Sequence, residues 1–123
     1  MNLLLIAIGG ALGSVARYGL SVLVYRFVPQ TFPFGTFTVN VVGCIVFGLL
    51  AGYGQGRGAI GAEARAFLFV GVLGGFTTFS TFAFETVELL RDGRLTWAVL
   101  NVGGQVVAGL AGLWAGLTLA TRL

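Results

Sequence analysis

Four apolar runs dominate the chain, near residues 3–28, 36–53, 64–90 and 95–119. Each is long enough to cross a hydrocarbon core of about 30 Å as a helix, which takes roughly 20 residues. Polar and helix-breaking residues gather between them. Pro29-Gln-Thr-Phe-Pro33 separates the first two runs, Gly54-Gln-Gly-Arg-Gly58 with Glu63 and Arg65 the next two, and Arg91-Asp-Gly-Arg94 makes the last turn. The pattern predicts an all-α integral membrane protein, residues 1–123 forming a single four-helix transmembrane domain. The first residues lack the basic segment of a cleavable signal.

The third run departs from a simple membrane helix. Between Gly71 and Phe84 it carries Gly74-Gly75, then Thr77, Thr78, Ser80 and Thr81. Adjacent glycines weaken a helix, and hydroxyls can bond backbone groups that a break sets free. Irregular backbone is tolerated at membrane depth only where protein buries it or water and ions reach it. The third helix is therefore expected to break over Gly74–Thr78, and the break to be an ion site. A new helix starting at Thr77 or Thr78 would aim free N–H groups and a positive dipole end into the membrane. Carbonyls released on the other side could hold a cation.

Composition sharpens this picture. The chain is 57% hydrophobic and 9% charged, with a mean hydropathy of +0.98, outside the range of soluble domains. Its 21 glycines suit helices that must approach closely without a hydrophobic drive. Seven scattered arginines give a net charge of +3 and no basic cluster for nucleic acid. Cys44 stands alone and reads as a small packing residue. There is no histidine, no metal-ligand cluster and no base placed to activate Ser80, so an enzyme is not expected.

Several polar residues sit inside the apolar runs. Arg17 falls near the middle of the first helix, where it either faces a polar cavity that would favour anions or snorkels to an interface. Asn40 lies just inside the second helix, and either ties helices together or offers its N–H groups to a partly dehydrated anion. Phe79 and Phe82, three apart, share a face; ring edges are positive and can line an anion path. Glu85 continues that face towards a pore mouth, while Glu88 is placed to pair with Arg91 or Arg94. Asn101 and Gln105 share a face of the fourth helix, either extending a polar track or joining helices.

Arginine placement gives no orientation. With Arg17 set aside, Arg57, Arg65 and Arg122 fall on one side and Arg26, Arg91 and Arg94 on the other, so the positive-inside rule has no preference. Four helices are also too few to enclose a pore comfortably. Both points predict insertion in either orientation and an antiparallel, dual-topology homodimer.

Three motifs resemble those of the small fluoride channels called Fluc or CrcB: Gly9-Gly10-Ala-Leu-Gly13 with Arg17-Tyr18; Pro33-Phe-Gly35-Thr36 with Asn40 and Gly43; and Gly71 to Phe82 with Glu85. The resemblance covers essentially the whole chain. It implies a passive fluoride-selective channel exporting fluoride across the cell (inner or plasma) membrane, and so protecting the cell. It implies two pores in an antiparallel dimer, with Phe79 and Phe82 as an aromatic box and Asn40 as the amide beside it. Thr78, Ser80 and Thr81 would supply polar lining, Glu85 the acidic residue after the box, and Arg17 the vestibule. Backbone carbonyls of Gly74 and Thr77 from both subunits would hold a structural sodium ion. The fourth helix differs: Asn101 and Gln105 stand where the family pattern suggests tyrosine and serine. The rival readings are a proton-coupled four-helix transporter, disfavoured by the absence of a carboxylate from the first helix, and a non-conducting structural subunit.

Overall fold

The computed structural model describes residues 2–55 and 58–123; Arg57, counted above for topology, lies outside them. The described residues are helical throughout apart from short connections. The first two spans are α1 (Asn2–Val24) and α2 (Phe34–Gln55). The third, Ala62–Arg91, is divided. Its first part, α3, runs over residues 62–76 as three continuous pieces: Ala62–Arg65, a π-helical Ala66–Leu73 and Gly74–Phe76. Its second part is α4 (Phe79–Arg91), and the last span is α5 (Leu95–Thr121). All four spans are long and apolar enough to cross a membrane. This is a multi-pass membrane protein.

α1 ends four residues before the predicted Val28. Its last N–H groups shift to acceptors three residues back, Arg26 to Leu23 (3.2 Å) and Phe27 to Val24 (3.0 Å). Pro29 disfavours helix at the preceding residue. Phe32, in the connection that follows, is buried and packs against Phe34, Phe37 and Trp97 at ring-centroid distances of 4.9, 6.1 and 5.6 Å. These contacts pin the breaker segment between the starts of α2 and α5. Gly93 (φ +74°) reverses the chain between α4 and α5 in a conformation that favours glycine.

Two helix pairs make the core. α2 lies along α5 and α1 along α3, and both pairs close through glycine. A Cβ on Gly116 would stand 2.5 Å from the Ile45 carbonyl oxygen, and one on Gly52 2.6 Å from that of Leu117. In the other pair, a Cβ on Gly9 would meet the Phe67 carbonyl oxygen at 2.6 Å, and one on Gly13 would overlap that of Val72. Small residues let backbones touch where lipid provides no hydrophobic drive.

The third-span break is narrower than predicted. Gly74 and Gly75 remain helical, and only Thr77 (φ −88°, ψ 156°) and Thr78 (φ −149°, ψ 118°) are extended. Gly75 serves packing: a Cβ there would lie 2.6 Å from the Gly10 carbonyl oxygen, whereas one on Gly74 would meet nothing nearer than the Phe69 carbonyl oxygen at 3.6 Å. The uniformly apolar appearance of Ala66–Leu73 gave no sign of its π-helical winding, which widens the helix just before the break.

Candidate functional site

The two extended threonines rearrange the backbone bonding around them. In an uninterrupted helix the Thr78 N–H would go to the Gly74 carbonyl and the Thr81 N–H to that of Thr77. Instead the Thr78 N–H donates to Asn40 Oδ1 (2.9 Å), and the Thr81 N–H to Thr78 Oγ1 (3.2 Å). Thr78 is thus the N-cap of α4, a role suited to its residue type. The carbonyls of Gly74 and Thr77 lose their helical partners. Thr77 Oγ1 turns back to the Leu73 carbonyl (3.0 Å), which also keeps the Thr77 N–H (3.0 Å).

Asn40 clamps the break from α2. Besides accepting from the Thr78 N–H, it donates through Nδ2 to the Thr78 carbonyl (3.0 Å) and to Gln105 Oε1 (2.8 Å). Both Nδ2 hydrogens are therefore engaged, so an anion reaching this amide must exchange with one of those acceptors. Asn40 ties helices together, the first of its two sequence readings, and it does so at the break itself. Gln105 Nε2 donates to Asn101 Oδ1 (2.9 Å), and Asn101 Nδ2 to Thr86 Oγ1 (2.9 Å). Asn101 and Gln105 thus join α5 to α2 and α4.

Cavities flank Thr78 on two sides. One of about 290 Å³ is lined by Asn40, Gly43, Cys44, Phe47, Thr77 and Phe79 among others. The second, about 270 Å³, brings Thr78 and Thr81 together with Ser14, Arg17, Ser21 and Thr36. Arg17 lines this hydroxyl-rich space, and its buried Nε has no hydrogen-bond partner among the described residues. Phe79 and Phe82 adjoin with ring centroids 5.6 Å apart and planes inclined by 52°. Phe79 is 78% exposed in the single chain, a large apolar surface at the break that the chain itself does not cover. Ser80 is also exposed, its hydroxyl 3.5 Å from that of Thr78. Thr78 Oγ1 in turn donates to Thr81 Oγ1 (3.1 Å).

Glu85 stands apart from this group. It lines a third cavity of about 380 Å³ beside Tyr25, Gln30, Glu88 and Asp92, and its buried Oε1 has no hydrogen-bond partner among the described residues. Glu88 pairs with Arg91 at 3.6 Å, the bland reading of its spacing. Sequence reasoning thus located the break and its hydroxyls but missed that Asn40 holds them, and it missed Thr86. Only the in-register polar positions 40, 86, 101 and 105 on three apolar helices hinted at that network.

The fold and site together define a multi-pass helical membrane protein with a polar, side-chain-clamped break inside one span. The chain matches, over residues 4–117, the family model described as CrcB-like protein, Camphor Resistance (CrcB). It belongs to the CrcB family. Among its relatives is the fluoride-specific ion channel FluC of Nitratidesulfovibrio vulgaris, 48% identical over 94% of both chains. Proteins of the same name from Methylobacillus flagellatus (47%, over 96% of this chain and 93% of the relative) and Opitutus terrae (49%, over 98% and 92%) are equally similar. These relatives are channels, not enzymes.

Proposed function

We propose that this chain forms a passive, fluoride-selective channel in the cell (inner or plasma) membrane. The observation that carries this reading is the break at Thr77–Thr78, clamped by Asn40, flanked by cavities and adjoined by Phe79 and Phe82, in a chain whose relatives are named fluoride-specific ion channels. Fluoride is small and strongly hydrated, so a narrow path must replace its water with several donors and positive ring edges at once. The hydroxyls of Thr78, Ser80 and Thr81 supply exchangeable donors, and Arg17 raises the local anion concentration from its cavity. Asn40 would contribute an N–H by releasing one acceptor as the ion passes. Weak, multi-site binding lets ions leave. Glu85, on the third cavity, would line the mouth of the path. Flow runs down the fluoride gradient, out of a fluoride-loaded cell.

The functional unit in this reading is an antiparallel homodimer of opposed topology, in which a second copy covers the exposed Phe79 and completes the path. The Gly74 and Thr77 carbonyls suit a structural sodium ion: both have lost their helical N–H partners, and two hard oxygens from each of two copies would make a cation site on the dimer axis. Sodium there would supply a fixed positive charge and hold the two breaks together.

The direct test follows ion release from liposomes containing the purified protein, under a fluoride or a chloride gradient, with and without a pH gradient. Rapid fluoride release, little chloride release and no coupling to the pH gradient are expected. Stoichiometric proton coupling would establish a transporter instead, and no release from folded dimer would leave a structural subunit. Cysteines placed at either terminus should label from both sides of the membrane; labelling from one side alone rules out dual topology.

A further inference from the structure

We propose that Gln105, Asn101 and Thr86 form a hydrogen-bond relay of fixed polarity that positions Asn40 on the break, and that they do so without lining the ion path. The inference rests on the channel reading for its consequence, but its geometry stands independently. The polarity begins at Thr86. Its one hydroxyl hydrogen is given to the Phe82 carbonyl (2.8 Å), so Oγ1 can only accept from its other neighbour. Asn101 must then present Nδ2 to it, which turns Oδ1 towards Gln105. Gln105 must answer with Nε2, and its Oε1 is thereby directed at Asn40 Nδ2. A backbone carbonyl in α4 thus dictates, through three side chains, how the Asn40 amide faces Thr78.

Burial separates this role from pore lining. Asn101 is 0% exposed and Gln105 8% exposed within the single chain, so neither side chain reaches a surface that a second copy could cover. The cavity beside Asn40 is bounded by Gly43, Cys44, Phe47, Thr77, Thr78 and Leu113, without Gln105 or Asn101. A buried amide left without its partner is costly, so the relay holds together or fails as a unit. Both of its ends lie in the divided third span, at Thr78 and at Phe82. The relay therefore fixes the pose of the segment that carries Phe79 and Phe82.

The test combines two readouts on reconstituted protein: fluoride release per folded dimer, and hydrogen exchange at the Thr78 N–H. Thr86→Val keeps shape and removes only the hydroxyl, away from both cavities at the break. It should slow fluoride release roughly fivefold and speed Thr78 exchange by a similar factor, as losing about one buried hydrogen bond implies. Thr86→Ser should restore both. Gln105→Leu should slow release about tenfold or more, and adding Thr86→Val to it should change little further. Should Gln105→Leu not fold, the Thr86 pair decides alone. Release at the original rate in Thr86→Val overturns the proposal, whether or not exchange changes. So does full release by Gln105→Ser, whose short side chain cannot bridge Asn40 and Asn101 and would mark a pore position. If the unmodified protein releases no fluoride, the channel reading fails, and the relay is judged by Thr78 exchange: protection insensitive to Thr86→Val contradicts it.

Discussion

The two halves of the third span are held by different physics. α3 lies against α1 through backbone-to-backbone approach at Gly9, Gly13 and Gly75. α4, only two residues further on, is held by side-chain amides and hydroxyls, Asn40 at its start and Asn101 through Thr86 about two turns in. A continuous helix has satisfied its own backbone, so shape alone governs its packing in lipid. A broken one exposes N–H and C=O groups, and polar side chains must answer them. The change from one regime to the other at Thr77–Thr78 is what makes an ion site possible there.

The sharpest way to break the contrast is to crowd the glycine seam. Gly13→Leu should destroy the α1–α3 pair, because even a Cβ at this position overlaps the Val72 carbonyl oxygen. A loss well above the usual overpacking cost of about 1–3 kcal/mol is expected, read as failure to yield dispersed, folded protein. Gly19→Ala has open space around it and should leave melting in detergent unchanged. The polar half should behave oppositely. Thr78→Val removes the N-cap oxygen, for an expected cost of about 1 kcal/mol in melting, and slows fluoride release about tenfold, while Thr78→Ser recovers most of both. The smallest effect belongs to the exposed Glu88–Arg91 pair. Arg91→Ala should shift stability by no more than about 0.5 kcal/mol and leave fluoride release as it was.

Much of this division was legible in the sequence. Run length placed all four spans within a few residues, and Thr77-Thr78 marked the break, because these signals are local. Gly74-Gly75 misled by one turn: glycine weakens a helix but equally lets one approach another, and only the neighbouring Gly10 decides between the two. Asn40 and Gln105 are 65 positions apart, and nothing in either helix alone names the other as a partner. The π-helical Ala66–Leu73 left no trace, since its residues are as apolar as any helix facing lipid. The proposed dimer and sodium ion would each need a second copy, and one chain's pattern reaches them through the arginine balance, the small number of helices, the carbonyls freed at the break and the family resemblance.

Fluoride release from liposomes by Asn40→Ala and Phe79→Ala, beside the unmodified protein, tests the central claim most directly, because one residue clamps the break and the other stands exposed beside it. Both variants should remain folded and dispersed in detergent yet lose about tenfold or more of the fluoride release rate, with chloride retained throughout. Release at the unmodified rate from both would contradict a path through the break at Thr77–Thr78.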